Sequence, residues 1–271
     1  YHATVGECLR LENSPLLSLF CNGLKLLSSR EREVSEAIRC ACRIDVLAMK
    51  PGNVSVHASG HGMTAVDFLR SAAVAAPLLA QSQKSVGECV LEATMATIAV
   101  ANCNTNLGIV LLAAPLAQAT MLQNNDEGLR HRLSFVLNAL SLQDSVSVFV
   151  AIRHASPGGL GNSEDHDVNA EPSLALKQVM QIASVRDRIA FQYANDFEDI
   201  FAIGVPLLRH YRARWDSLIW AAVGVYLAFL SRYLDSHVVR KYDENKANAV
   251  LSVAQALESD FKACENPATL A

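Results

Sequence analysis

The stretch Arg30–Met49, REREVSEAIRCACRIDVLAM, decides the fold class. Its apolar residues fall at Val34, Ala37, Ile38, Ala41, Ile44 and Ala48, the spacing of three and four that gives a helix one oily face. Pro51-Gly52 then ends that helix. Moving outward, helices are expected over Ala65–Gln81, Val86–Ala101, Leu107–Met121, His131–Leu140, Leu174–Phe201, Arg214–Leu234 and Lys246–Lys262. Gly204-Val205-Pro206 is expected to break the chain after Phe201. Asp144–Ala155 is ambiguous. Val146, Val148, Val150 and Ile152 alternate like a strand, while Asp144 can cap a helix. Helix is preferred because no partner strand is visible. Aromatic residues make up only 6% of the chain, and alternation rarely lasts. The expected fold is therefore all-α, a single compact multi-helix domain over residues 1–271, with its active site in the loops between helices.

Composition narrows the function. Half of the residues (51%) are hydrophobic and 18% are charged, which is the wrong balance for disorder. A formal charge of −4 argues against a nucleic-acid surface, which needs a basic face. Seven cysteines include no Cys-x-x-Cys pair, so neither a disulfide framework nor a thiol zinc site is indicated, and a reducing cytoplasm fits. The apolar runs Leu107–Ala117 and Leu218–Leu230 fall short of the roughly 18–20 residues that cross a bilayer, so no membrane span is expected. No charged segment followed by a cleavable apolar stretch opens the sequence. The apolar helix faces also allow a homodimer.

Polar loops interrupt this background. The first carries Lys50-Pro51-Gly52-Asn53-Val54-Ser55, then His57, Gly60-His61-Gly62-Met63 and Asp67-Phe68. Proline and glycine allow a sharp turn that exposes N–H groups, and Lys50 adds a cation suited to phosphate. An ordinary helix connection is the plain alternative. His57 and His61 stand four apart, but glycines flank His61 and no third ligand is obvious, so zinc is not expected. The second loop, Asn102-Cys103-Asn104-Thr105-Asn106-Leu107-Gly108, holds amides that cap helices or face a ligand. The third carries Pro157-Gly158-Gly159-Leu160-Gly161 and then Glu164-Asp165-His166-Asp167. Its glycines permit close approach and its carboxylates suit a magnesium ion, or else form a solvated acidic loop.

Downstream, Arg186-Asp187-Arg188 precedes Gln192-Tyr193-Ala194, Asp196-Phe197 and Asp199. On one helix, Asp196 and Asp199 would share a face, an arrangement for metal binding or general-base work. Asp235-Ser236-His237 then leads to Arg240-Lys241, cations near a helix end. Walker, Rossmann and serine-hydrolase motifs are missing.

Taken in order over roughly residues 34–250, these landmarks resemble the triphosphoribosyl-dephospho-CoA synthase family. The resemblance rests on Lys50-Pro51-Gly52-Asn53, Met63, Asp67-Phe68, Asn104-Thr105, Gly159-Leu160-Gly161, Asp167, Arg186-Asp187, Asp235-Ser236-His237 and Arg240-Lys241. Members acting on dephospho-CoA typically carry His, then Lys or Arg, then Gly after the Asn-Thr pair. This chain has Asn106-Leu107-Gly108 instead, more like a divergent branch linked to methanopterin-type one-carbon cofactors.

The resemblance implies an enzyme that moves the triphosphoribosyl group of ATP to a hydroxyl of dephospho-CoA or a related acceptor, releasing adenine, with Mg2+ as a further cofactor. Breaking the ribose–adenine bond develops positive charge at the anomeric carbon, which carboxylates stabilise. Asp165, Asp167, Asp196 and Asp199 are the candidates for magnesium, and the last three also for base work. His57 and His237 are candidate proton donors. Lys50, Gly52, Asn53, Ser55, Asn104, Thr105, Asn106, Gly159, Gly161, Arg188, Arg240 and Lys241 are candidates for holding phosphates, ribose or adenine. Two alternatives stand beside this reading. One is an ATP-using enzyme of tetrahydromethanopterin-type cofactor synthesis with another acceptor, and the other is a non-catalytic nucleotide-binding helical module.

Overall fold

A computed structural model describes residues 27–60, 62–122, 127–156 and 168–270. Twelve α-helices occur among the described residues. They are α1 (Ser29–Leu47), α2 (Ala65–Leu79), α3 (Val86–Ala101), α4 (Leu107–Met121), α5 (Leu129–Asn138) and α6 (Leu142–Ala155). Then follow α7 (Leu176–Ala183), α8 (Arg188–Ala194), α9 (Val205–Trp215), α10 (Leu218–Leu230), α11 (Ser236–Lys241) and α12 (Glu244–Ala263). Only isolated bridges, Ser55 with Ala58 and Gly60 with Met63, represent β structure among those residues. The fold is all-α, and no single described helix is long and apolar enough to cross a membrane.

Three helices start by the same device. Ser28 with Glu31, Ser85 with Glu88 and Ser141 with Asp144 each form a capping box, in which hydroxyl and carboxylate satisfy two backbone donors reciprocally. Asp144 is thus the partner of the cap and not the cap itself, and Asp144–Ala155 is helix.

The main core draws on α2 to α8, with Val90, Val110, Leu133, Leu137, Val148 and Tyr193 fully buried. Helix α3 packs on α2 and on α6. A Cβ at Gly87 would lie 2.6 Å from the Asp144 Cα, so only glycine lets α3 and α6 meet this closely. A second core joins α9, α10 and α12 to Ala48 at the end of α1. There the Tyr211 and Trp215 rings stack at 5.1 Å, and Phe261 meets both edge-on.

The expected single helix over Leu174–Phe201 is corrected. Asp187 accepts from the Ile189 and Ala190 N–H groups and so begins a new helix, α8. Asn195 ends it, and Asp196 and Phe197 take left-handed backbone with φ 49° and 56°. The expected break at Gly204-Val205-Pro206 is corrected too. A π-helical turn, Ile200–Gly204, runs into α9 through helical Gly204 and Val205, and Pro206 falls in the first turn of α9, where proline is tolerated.

Candidate active site

The first polar loop is built around a tight turn. Pro51 and Gly52 occupy its centre, Gly52 has φ 85°, and the Asn53 N–H donates to the Lys50 carbonyl at 3.0 Å. The loop is fastened at both sides. Val56 N–H donates to the Val46 carbonyl at 3.1 Å, and Tyr226 of α10 donates its hydroxyl to the Pro51 carbonyl at 2.6 Å. Burial, and then nearby Asp235, pushes the Tyr226 phenol up to about 12, so it stays a donor. Lys50 is only 7% exposed and pairs with Asp45, so its charge is already answered within the protein. Asn53 and His57 are exposed, while Ser55 is buried and accepts from the His57 N–H at 3.2 Å.

The asparagine loop is largely accounted for locally. Asn102 ends α3 in left-handed backbone, and the Asn104 carbonyl caps the Leu107 N–H at 3.2 Å. Buried Asn106 accepts from the Thr97 hydroxyl at 3.1 Å. Thr105 donates to Ser71 of α2 at 2.7 Å, and the Ser71 hydroxyl in turn donates to the Asp67 backbone carbonyl at 2.7 Å. Asp67 in turn closes the start of α2 by accepting from Thr64 N–H and hydroxyl at 2.8 and 2.9 Å.

The third group of candidates meets at an elbow between α8 and the end of α10. Arg188 is clasped by Asp199, at 2.7 Å from Nε and 2.6 Å from Nη2 to the same oxygen. Gln192 donates to that oxygen at 2.6 Å, and Tyr233 donates to the other at 3.0 Å. Burial foremost, then the bond to Asp199, pushes the Tyr233 phenol up. Nearby, Arg240 pairs with Asp187 at 2.8 Å, tying α11 to the start of α8. Asp235 caps α11 through the His237 and Val238 N–H groups, which leaves His237 exposed in the first turn. Lys241 lies 5.5 Å from the Tyr242 ring.

These three regions form a closed circuit of contacts. The loop after α1 joins α10 through Tyr226, and the end of α10 joins α8 through Tyr233, Asp199 and Arg188. Helix α8 then meets the first turn of α4, directly after the asparagine loop, since a Cβ at Gly108 would sit 3.2 Å from Ile189 Cδ1. Thr105 returns to α2, which opens directly after the first loop.

A family model for CitG, ATP:dephospho-CoA triphosphoribosyl transferase, matches residues 31–270. The chain belongs to the CitG family. It is accordingly a transferase of the triphosphoribosyl-dephospho-CoA synthase family, for which ATP is a substrate. No curated protein and no solved structure matches it significantly. The CitG match starts within α1 and ends beyond α12, so it takes in every element of the circuit.

Two expectations about carboxylates need restating against this geometry. Asp196 and Asp199 do not share a helical face, because the left-handed backbone at Asp196 and Phe197 separates them. Asp196 accepts from Lys177 of α7 and Ser134 of α5, both at 2.9 Å, whereas Asp199 serves the elbow. Burial opposes the ionised form of Asp196, but Lys177 and Ser134 outweigh it and hold the carboxyl below its usual value. No group of three His, Cys, Asp or Glu side chains among the described residues is arranged to hold a metal ion. Asp196 and Asp199, the two described members of the magnesium set, therefore do not fit that ion as a pair. Asp165, Asp167, Gly159 and Gly161 lie outside the described residues.

Motif and period give no sign of the contacts made by Tyr226, Tyr233, Phe191 and Gln192. The two tyrosines stand seven apart around the end of apolar α10, two turns of one face, which signals a shared side and not what it touches.

Proposed function

We propose that this chain transfers the triphosphoribosyl group of ATP to a hydroxyl of an acceptor, dephospho-CoA or a related molecule, with release of adenine. The observation that carries the reading is the closed circuit, in which motif loops far apart in sequence are held to one another by side chains of α8 and α10. In the reaction the bond from the anomeric carbon to adenine breaks, and adenine leaves with the electron pair. The acceptor oxygen bonds to that carbon and loses its proton to a base. Positive charge grows on the sugar as the bond lengthens, so a negative group beside the ring lowers the barrier. His57 and His237 are exposed and can hand a proton to the departing base. Asp167 is the proposed carboxylate beside the ring. The triphosphate is an inert handle here, held by cations and not cleaved.

A second reading concerns the acceptor alone. Asn106 is buried against Thr97, and Leu107 is buried in the core, so neither presents the polar or cationic side chain expected of members acting on dephospho-CoA. This favours a different acceptor, of the kind used in methanopterin-type cofactor synthesis.

The test is incubation with ATP, magnesium and either acceptor class. The expected products are free adenine and an acceptor heavier by a triphosphoribosyl group, with Asp167→Asn removing both. ADP or AMP as the main nucleotide product would refute the transfer chemistry.

A further inference from the structure

The elbow holds one arginine far more tightly than a surface ion pair requires. Ring centroids of Phe191 and Tyr233 each lie 3.8 Å from the Arg188 Cζ. Two rings that close cannot share one side of the planar group without overlapping, so they cover its opposite faces. Asp199 takes one edge, through Nε and Nη2. A guanidinium carries five N–H donors in a rigid plane. Two are spent on Asp199, and among the described residues no hydrogen bond takes up Nη1. The side chain is still 35% exposed, so its outer edge faces solvent as a fixed fork.

Asp199, for its part, is buried and bonded through both oxygens. It is 4% exposed, and its oxygens accept from Arg188 twice, from Gln192 and from Tyr233. Gln192 is 3% exposed, and its Oε1 is buried with no hydrogen-bond partner among the described residues. Turning the amide over would point that oxygen at the carboxylate, so the orientation is forced. A buried orphan carbonyl is unfavourable, and structures keep one mainly where something else depends on the arrangement. A purely structural tie between α8 and α10 has no need of it.

We propose that Arg188 is a pre-oriented phosphate-reading fork, that Asp199 is its positioning residue and not a base or metal ligand, and that Phe191, Tyr233 and Gln192 complete the clamp. The ligand class is a phosphoryl group of a polyphosphate chain, whose oxygens match the paired donors of a guanidinium edge. The inference rests on the transfer reading for which nucleotide supplies that chain, but its binding limb can be measured separately.

The experiment uses the full chain and two readouts: calorimetric binding of inorganic tripolyphosphate, and the steady-state kinetics of adenine release with ATP varied. Arg188→Lys keeps the charge and loses the fork. It is expected to weaken tripolyphosphate binding and raise KM for ATP by about tenfold, with kcat within about threefold of wild type. Asp199→Asn keeps the shape and is expected to do the same, with the double variant no worse than either single one. Tyr233→Phe keeps the ring and removes one donor to Asp199, for a rise of about threefold in KM. Gln192→Met is expected to melt no lower than wild type while KM rises, which a structural residue would not do.

Unchanged tripolyphosphate binding in Arg188→Lys overturns the fork. Asp199→Asn that loses kcat with KM intact overturns the positioning role and restores a catalytic one. If Arg188→Lys does not fold, the same two readouts on Tyr233→Phe and Gln192→Met decide the matter, with unchanged values in both counting against the clamp. Wild-type protein that binds tripolyphosphate through Arg188 but releases no adenine refutes the transfer reading and leaves the fork standing.

Discussion

Asp144 and Asp199 are equally buried, at 4% exposure, yet their neighbours differ in kind. At the α3–α6 seam, Asp144 accepts from the N–H of Gly87 and from the N–H and hydroxyl of Ser141. Its partners are backbone or a cap, and they fix where two helices meet. At the elbow, Asp199 accepts from side chains, and among the described residues these are Arg188, Gln192 and Tyr233. Here the tie between α8 and the end of α10 runs through side chains, so this carboxylate also fixes the directions in which they point. The seam runs on regular backbone. The elbow is flanked by two left-handed residues, a π-helical turn and an orphan amide oxygen. Irregular backbone and unpaired polar groups of this kind gather where a protein needs a particular geometry more than it needs stability.

The largest test of that contrast is Asp144→Ala. It strands the Gly87 and Ser141 donors in a buried setting and is expected to destabilise the fold by about 3 kcal/mol, read by urea unfolding. Adenine release per folded molecule should stay at the wild-type level. Near-native stability in this variant would erase the difference between the two aspartates.

A smaller effect appears in acid. Burial works to raise the Glu31 pKa, but donors from Ser82 and Ser28 outweigh it and hold the carboxyl at about 2, against an ordinary 4.5. Because the folded value is depressed, the stabilisation is complete above 4.5 and disappears as pH falls through about 2. Glu31→Gln should flatten this acid limb in thermal melts between those limits. An unaltered limb would assign the acid sensitivity elsewhere.

The smallest effect is a gain. Asp216 ends α9 in exposed left-handed backbone at φ 47°. Asp216→Gly should raise stability by on the order of 0.5 kcal/mol, seen as a slightly higher Tm. The same swap at Phe197 should instead destabilise, because that ring is fully buried in the main core. A gain at both positions would mean that the elbow's backbone is not under selection for its shape.

Much of the scaffold was legible. The bounds of α3 and α4 coincide with the periodic segments Val86–Ala101 and Leu107–Met121, since their apolar residues, caps and ends agree. The elbow was not legible, for a physical reason. Ile189, Tyr193, Phe197, Ile200 and Phe201 keep helical spacing straight through the break, so the period conceals it. The signal that a new helix starts is the carboxylate of Asp187 reaching two N–H groups, which only geometry reveals. Pro206 misled in the other direction, because a proline that stops a helix and one that begins a helix look alike in sequence. In the candidate site, motif order singled out loops that the fold joins through contacts of α8 and α10. It could not show that Lys50 is already paired with Asp45, or that two aspartates three apart look to different neighbours.

The hydroxyl of Tyr226 reaches back across 175 residues to the carbonyl of Pro51. A ribosome delivers the amino end first, so the turn around Gly52 emerges long before the helix that steadies it is made. Contacts of such long range form slowly, because the intervening chain must first be ordered. The nascent protein would therefore acquire its first core early, and the loops of the candidate site would be fastened together only after synthesis had passed Tyr233.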